Sequence, residues 1–206
     1  ADIELNEIDP FTFFCYIHKY GDKRRLNYLQ QIAEKLNIKK PLGVEGIPTS
    51  QPQKVWMFPS QYLRTNNEVA RLWSLFKKEL KGEVADEDFA DVLKIKNVGD
   101  AKLTEVFFYI NPEKYLPING PTKPYIKEVL GLDTKFTSYS EYIELLLKIK
   151  KKVETPFYEL SHKAWKWNKE RNNVNNIVIP ASSDDPILLM IENYKKNIAQ
   201  TQLKDE

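Results

Sequence analysis

Apolar residues in this chain recur mainly at helical spacing. Leu26, Leu29, Ala33 and Leu36 form one stripe over residues 23–36, with Asp22 as the predicted cap. A second stripe, Val69, Leu72, Trp73, Phe76 and Leu80, starts at Asn66 or Asn67 and is closed by Gly82. Phe89, Val92 and Leu93 belong to a third helix, and Leu103, Val106, Phe107 and Ile110 to a fourth, which Pro112 stops. Between these two lies Asn97-Val98-Gly99-Asp100, a four-residue turn in which Gly99 is expected to be left-handed and Asp100 to cap the following helix. Gly120-Pro121-Thr122 opens a helix with Tyr125, Ile126, Val129 and Leu130 inward and Gly131 at its end. Ser138 and Glu141 have the spacing of a capping box for a helix through Lys152, and Thr155-Pro156 starts another with Leu160, Ala164 and Trp167 on one face.

Two stretches break this periodicity. Residues 39–59 carry Pro41, Gly43, Gly46, Pro48, Pro52 and Pro59, which forbid a helix, and Val55-Trp56-Met57-Phe58 is the best short extended segment. Residues 169–185 are rich in Asn and Ser and read as a linker, after which Ile187, Leu188, Ile191, Tyr194 and Ile198 align on a last helix. The expected architecture is mainly α: a multi-helix globular domain over 1–168 with a helix-hairpin-helix-like turn and a minor extended or β segment near 54–58. A linker over 169–185 and a C-terminal helix over 186–206 would lead to a further domain. Residues 1–10 are acidic and read as a poorly ordered lead-in, whereas the aromatic run from Phe11 to Tyr20 should be core.

Composition narrows the function classes. A hydrophobic content of 42% with 12% aromatics can fill a core in 206 residues, so the chain is expected to fold. Lys plus Arg (31) nearly balance Asp plus Glu (29), so any nucleic-acid surface must come from uneven distribution of charge. The lone Cys15 lies in an apolar run and reads as a buried thiol in a reducing compartment. No apolar run approaches the roughly 18 residues that a membrane helix requires, and no secretory signal is evident; no membrane partner and a cytoplasmic location are expected.

The chain has no nucleotide-binding glycine loop and no nucleophile elbow, and His18, His162 and Cys15 lack metal-ligand spacing. No cofactor or metal is expected. Glu83, Asp86, Glu87, Asp88 and Asp91 could in principle hold a divalent ion, although carboxylates also suit the start of a helix. Cations do cluster. From Leu146 to Arg171 eight basic residues face three acidic ones, with Lys163, Trp165, Lys166 and Trp167 interleaved, a pattern able to track phosphates while a ring stacks on a base. Lys54 beside Trp56 makes a second candidate patch, and Lys94, Lys96 and Lys102 flank the turn at Asn97 and Gly99.

The turn resembles the helix-hairpin-helix with which DNA-repair glycosylases hold a phosphate at exposed helix amides. In that superfamily a catalytic Asp lies twenty residues past the last hairpin glycine. The corresponding position here is Asn119, whose amide cannot ionise to serve as that carboxylate, and the lysine of lysine-using members falls at Ala101, with Lys102 one position later. The resemblance therefore implies a DNA grip without glycosylase chemistry, to which Lys123 would add. An ordinary helical hairpin is the alternative.

Larger blocks are similar to the module ahead of the AAA+ motor in McrB-like restriction proteins: Asp9-Pro10-Phe11-Thr12-Phe13-Phe14, Val55-Trp56-Met57-Phe58-Pro59, Leu72-Trp73-Ser74-Leu75-Phe76, the run Asn97 to Asn119, and Pro156-Phe157-Tyr158-Glu159-Leu160 continuing to Ala164-Trp165. That resemblance implies a non-enzymatic specificity module for double-stranded DNA, plain or modified, in antiviral defence. Its implied partners are a GTP-hydrolysing AAA+ motor domain in the same full-length chain and a McrC-type nuclease subunit. Two other classes stay open: a nucleic-acid-processing enzyme, either a diverged glycosylase using Lys102 or a metal nuclease using the carboxylates between Glu83 and Asp91, and a protein-interaction module of the same system.

Overall fold

A computed structural model describes residues 7–65 and 67–175. Among them are eight α-helices: α1 (Pro10–His18), α2 (Asp22–Lys35), α3 (Glu68–Lys81), α4 (Asp86–Leu93), α5 (Asp100–Ile110), α6 (Thr122–Glu128), α7 (Tyr139–Lys152) and α8 (Phe157–Asn175). Two compact units divide the chain, residues 1–165 and 166–206.

In the first unit α1 is the central post, packed on α2, α3 and α5, while α3 also packs on α4, and α4 on α7. Its start is built by Asp9, whose carboxylate accepts from the Thr12 amide at 2.9 Å, and by Pro10 in the first turn. Asp9 and Pro10 are therefore buried structure, which corrects the expectation of a loose lead-in reaching Pro10; residues 1–6 lie outside the described part. Phe11 and Cys15 are fully buried, and Phe11 meets Phe76 and Phe107 edge to face at 5.9 and 6.2 Å. Phe13 and Tyr16, on the opposite face of α1, are exposed, so only half of the aromatic run is core.

The buried face of α3 is rotated from the expected stripe. Glu68, Leu72, Leu75 and Glu79 are buried and Leu80 is exposed. Burial of Glu79 is tolerated because Tyr115 Oη donates to it and Lys114 pairs with it at 3.2 Å, so the polar face closes on partners rather than on water. Gly82 ends the helix at φ 73°, as the sequence predicts. Val129 is likewise exposed, although Tyr125, Ile126 and Leu130 are buried as expected and Gly131 is left-handed at φ 63°.

No strand is found among the described residues. The expected extended segment near 54–58 is a short 3-10 turn, Pro52–Lys54, followed by irregular backbone with Val55, Met57 and Phe58 buried. Side chains from α1, α5 and the turn before α5 meet its backbone polar groups: Met57 N–H donates to Thr12 Oγ1 at 3.0 Å, and the Trp56 and Phe58 carbonyls accept from Lys102 and Asn97. In the second unit the described residues are the helical stretch 166–175, where the Arg171 guanidinium lies 5.0 Å from the Trp167 ring centre. The helix thus continues to Asn175 through the first residues read as linker; residues 176–206, with the expected last helix, lie outside the described part. No helix among the described residues is long and apolar enough to cross a membrane.

Candidate functional site

The turn between α4 and α5 is a helical hairpin, but its chemistry is redistributed. Asn97, not Gly99, is the left-handed residue, at φ 82°, a conformation its short polar side chain tolerates. Gly99 is extended (φ −132°, ψ 164°) and stands as the cap of α5 without a capping side chain. Asp100 is the first residue of α5, and its carboxylate pairs with Lys123 at 3.0 Å rather than closing over the helix amides. A side chain placed at Gly99 would meet open space, so this helix end is approachable.

It opens into a cleft of about 740 Å3, which is within the range of small-ligand sites. One wall is the irregular segment 48–56. Arg25 positions the start of that segment: its guanidinium, 2% exposed, donates to the carbonyls of Val44 (3.2 Å), Ile47 (3.0 Å) and Pro48 (2.9 Å) and pairs with Asp22. Ser50 N–H then donates to the His18 carbonyl at 3.1 Å. The other wall is α5 with the segment leading to α6. Ile118 N–H donates to Thr104 Oγ1 at 3.0 Å and Tyr142 Oη to the Leu116 carbonyl at 2.8 Å, so residues 116–119 are pinned against α5 and α7.

Of the predicted site residues, Lys54, Trp56, Asn97, Gly99, Lys102, Asn119 and Trp165 line this one cleft. Trp56 and Trp165, which both line it, are 43% and 47% exposed. Lys102 Nζ donates to the Trp56 carbonyl at 2.5 Å and reaches the Asn97 carbonyl at 3.5 Å, tying the two walls together. Burial lowers its pKa from the usual lysine range. Lys94 and Lys96 are exposed at the end of α4 outside the cleft, Lys123 is the partner of Asp100, and Lys163 is exposed on α8. Lys166 belongs to the second unit.

Sequence reasoning missed the cleft's polar floor. The Glu105 carboxylate accepts from Ser50 Oγ and Tyr109 Oη through Oε1, both at 3.0 Å, and from Asn119 Nδ2 through Oε2 at 3.1 Å. Burial raises the Glu105 pKa, and burial together with the Glu105 charge raises that of Tyr109. Cys15, on the same floor, is pushed up to about 12 by burial and is an inert thiol. The only advance signal for Glu105 was its position three residues after Lys102 on the same helix, and charged residues at such positions usually face water.

Three of the five carboxylates considered for a metal have partners within the fold. Asp86 accepts from the Ser140 amide at 2.7 Å, Asp88 pairs with Lys78 at 2.5 Å, and Asp91 with Arg71 at 2.6 Å. No cluster of three or more metal-ligating side chains occurs among the described residues. Comparison with curated proteins and with solved structures finds no match. A family model described as a domain of unknown function, DUF8425, matches residues 1–167, and the chain belongs to that family.

Proposed function

We propose that this domain is a DNA-binding specificity module, and that the cleft at the start of α5 is its contact with nucleic acid. The observation that supports the reading is the convergence of an open, uncapped helix start, Lys54, Lys102, two half-exposed tryptophans and Asn119 on one cleft. Helix amides and lysines suit phosphate oxygens, while indole faces stack on bases without sequence preference. Lys94 and Lys96, exposed beside the hinge, extend the cationic rim. The likeness to McrB-like modules adds the biological setting: a cytoplasmic antiviral restriction system in which an AAA+ motor domain and a McrC-type nuclease act on plain or modified DNA that this domain selects.

A titration of labelled duplex DNA at increasing salt tests the reading. Affinity that falls at least about tenfold between 50 and 200 mM salt is expected from several phosphate contacts. Absence of binding, or affinity indifferent to salt, would contradict it.

A second reading, chemistry on the bound nucleic acid, is favoured by Lys102 and the partly buried Glu105 carboxylate lining the same cleft. Base release or strand scission by the isolated chain, abolished in Lys102→Met, would support it; intact DNA after prolonged incubation would exclude it.

A further inference from the structure

The floor of the cleft presents a hydrogen-bonding pattern that the fold alone does not consume. Glu105 is a partly buried carboxylate without an ion pair among the described residues, since Lys102 Nζ is engaged by the Trp56 and Asn97 carbonyls. Its orientation is fixed by Ser50 and Tyr109 on one oxygen and by Asn119 on the other. Asn119 is fixed in turn: Oδ1 faces the Thr122 amide at 3.4 Å, its carbonyl accepts from Lys123 N–H at 2.9 Å, and Nδ2 therefore points to Glu105. An ionised carboxylate oxygen accepts two bonds and a side-chain amide nitrogen donates two. Among the described residues Glu105 Oε2 accepts one and Asn119 Nδ2 donates one, both to each other. One acceptor and one donor thus remain, on atoms 3.1 Å apart, on residues that line the same cleft as Trp56 and Trp165.

We infer that Glu105 and Asn119 read the hydrogen-bonding edge of a single unpaired nucleobase held between Trp56 and Trp165. This rests on the nucleic-acid reading above and names its ligand. Every standard base carries a donor next to an acceptor on its pairing edge, complementary to an acceptor beside a donor. In a duplex that edge is used by the opposite base, so the cleft takes a base that is out of the stack. Stacking supplies affinity, and the Glu105–Asn119 pair distinguishes a base from any other flat ring.

The test uses the whole chain and duplexes carrying a one-nucleotide bulge: thymine, its isostere 2,4-difluorotoluene, which stacks but barely hydrogen-bonds, or an abasic residue. The thymine bulge is expected to bind about tenfold tighter than the isostere, the size of effect a good two-bond base contact gives. In Glu105→Met, which removes the acceptors at similar length, the ratio falls to near one. Equal affinity of the wild-type protein for thymine and the isostere overturns this inference while leaving DNA binding standing, and that comparison needs no variant to fold. Failure to bind any duplex overturns both. Thymidine monophosphate binding as tightly as the bulged duplex overturns the assignment to a base within a DNA strand.

Discussion

Asn119 donates its side-chain N–H to the Glu105 carboxylate at 3.1 Å, joining the entry of α6 to the middle of α5. The amide is the side chain that suits this place, because an Asp at 119 would set two carboxylates in contact in a partly buried setting. Asn119→Asp is expected to lower stability by about 1–3 kcal/mol at pH 8, the cost of replacing a partly buried hydrogen bond with an unpaired, repelling group. The deficit narrows toward pH 5 as one of the two carboxyls takes up a proton. Thermal melts of both proteins across that range measure it.

His18 lies against Tyr109 with ring centres 4.3 Å apart, and burial, reinforced by Arg25, lowers its pKa to about 4. The folded state refuses a proton that the unfolded chain accepts below pH 6.5. Stability from this group is therefore complete above pH 6.5 and is lost as pH falls toward 4, a contribution of about 3 kcal/mol in all. His18→Phe keeps the stacked ring and removes the titration. Its denaturant midpoint should fall less steeply than that of the wild type between pH 7 and 5.

Arg25 holds the segment 44–48 through three carbonyls. Arg25→Met leaves those acceptors buried without a donor and should cost about 3 kcal/mol or more. The same variant should be cut by protease within residues 39–51 at concentrations that leave the wild type intact.

Lys54 and Lys96 carry charge without an ion pair to a described carboxylate, whereas Lys123 is neutralised by Asp100. Reversing both in Lys54→Glu with Lys96→Glu should leave the melting temperature within about 2 °C. The slope of log affinity against log salt should fall by about one for each phosphate contact removed. An unchanged slope would take this rim out of the interface.

Much of the helical framework is legible in the sequence, because α5, α6 and α7 bury apolar residues at plain helical spacing and Ser138 caps α7 by accepting from Glu141 N–H. In α2 only Ala33 of the expected stripe is buried, Leu36 is exposed, and Gly21 rather than Asp22 stands at the cap. The stripe expected on α3 is displaced because two of its carboxylates, Glu68 and Glu79, lie on the buried face. Glu68 closes over the Thr65 amide, and Glu79 is enclosed by Tyr115 and Lys114, interactions set by residues distant in sequence or outside the helix. The same cause hid the site's floor. Trp56, Asn97, Lys102 and Asn119 were legible as an exposed-type hairpin and its neighbours, while Glu105, Ser50 and Tyr109 become a group only once α5 packs beside the segment that Arg25 anchors. In the hinge, glycine was credited with the left-handed turn that Asn97 makes.

The most direct measurement is amide hydrogen exchange of the protein with and without saturating duplex DNA. Slowed exchange concentrated in residues 97–103 and 54–58, where α5 opens onto the cleft, is the predicted result. Protection confined to other surfaces, such as the lysine-bearing end of α7, with the opening of α5 exchanging as in the free protein, would contradict the assignment of this cleft as the DNA contact.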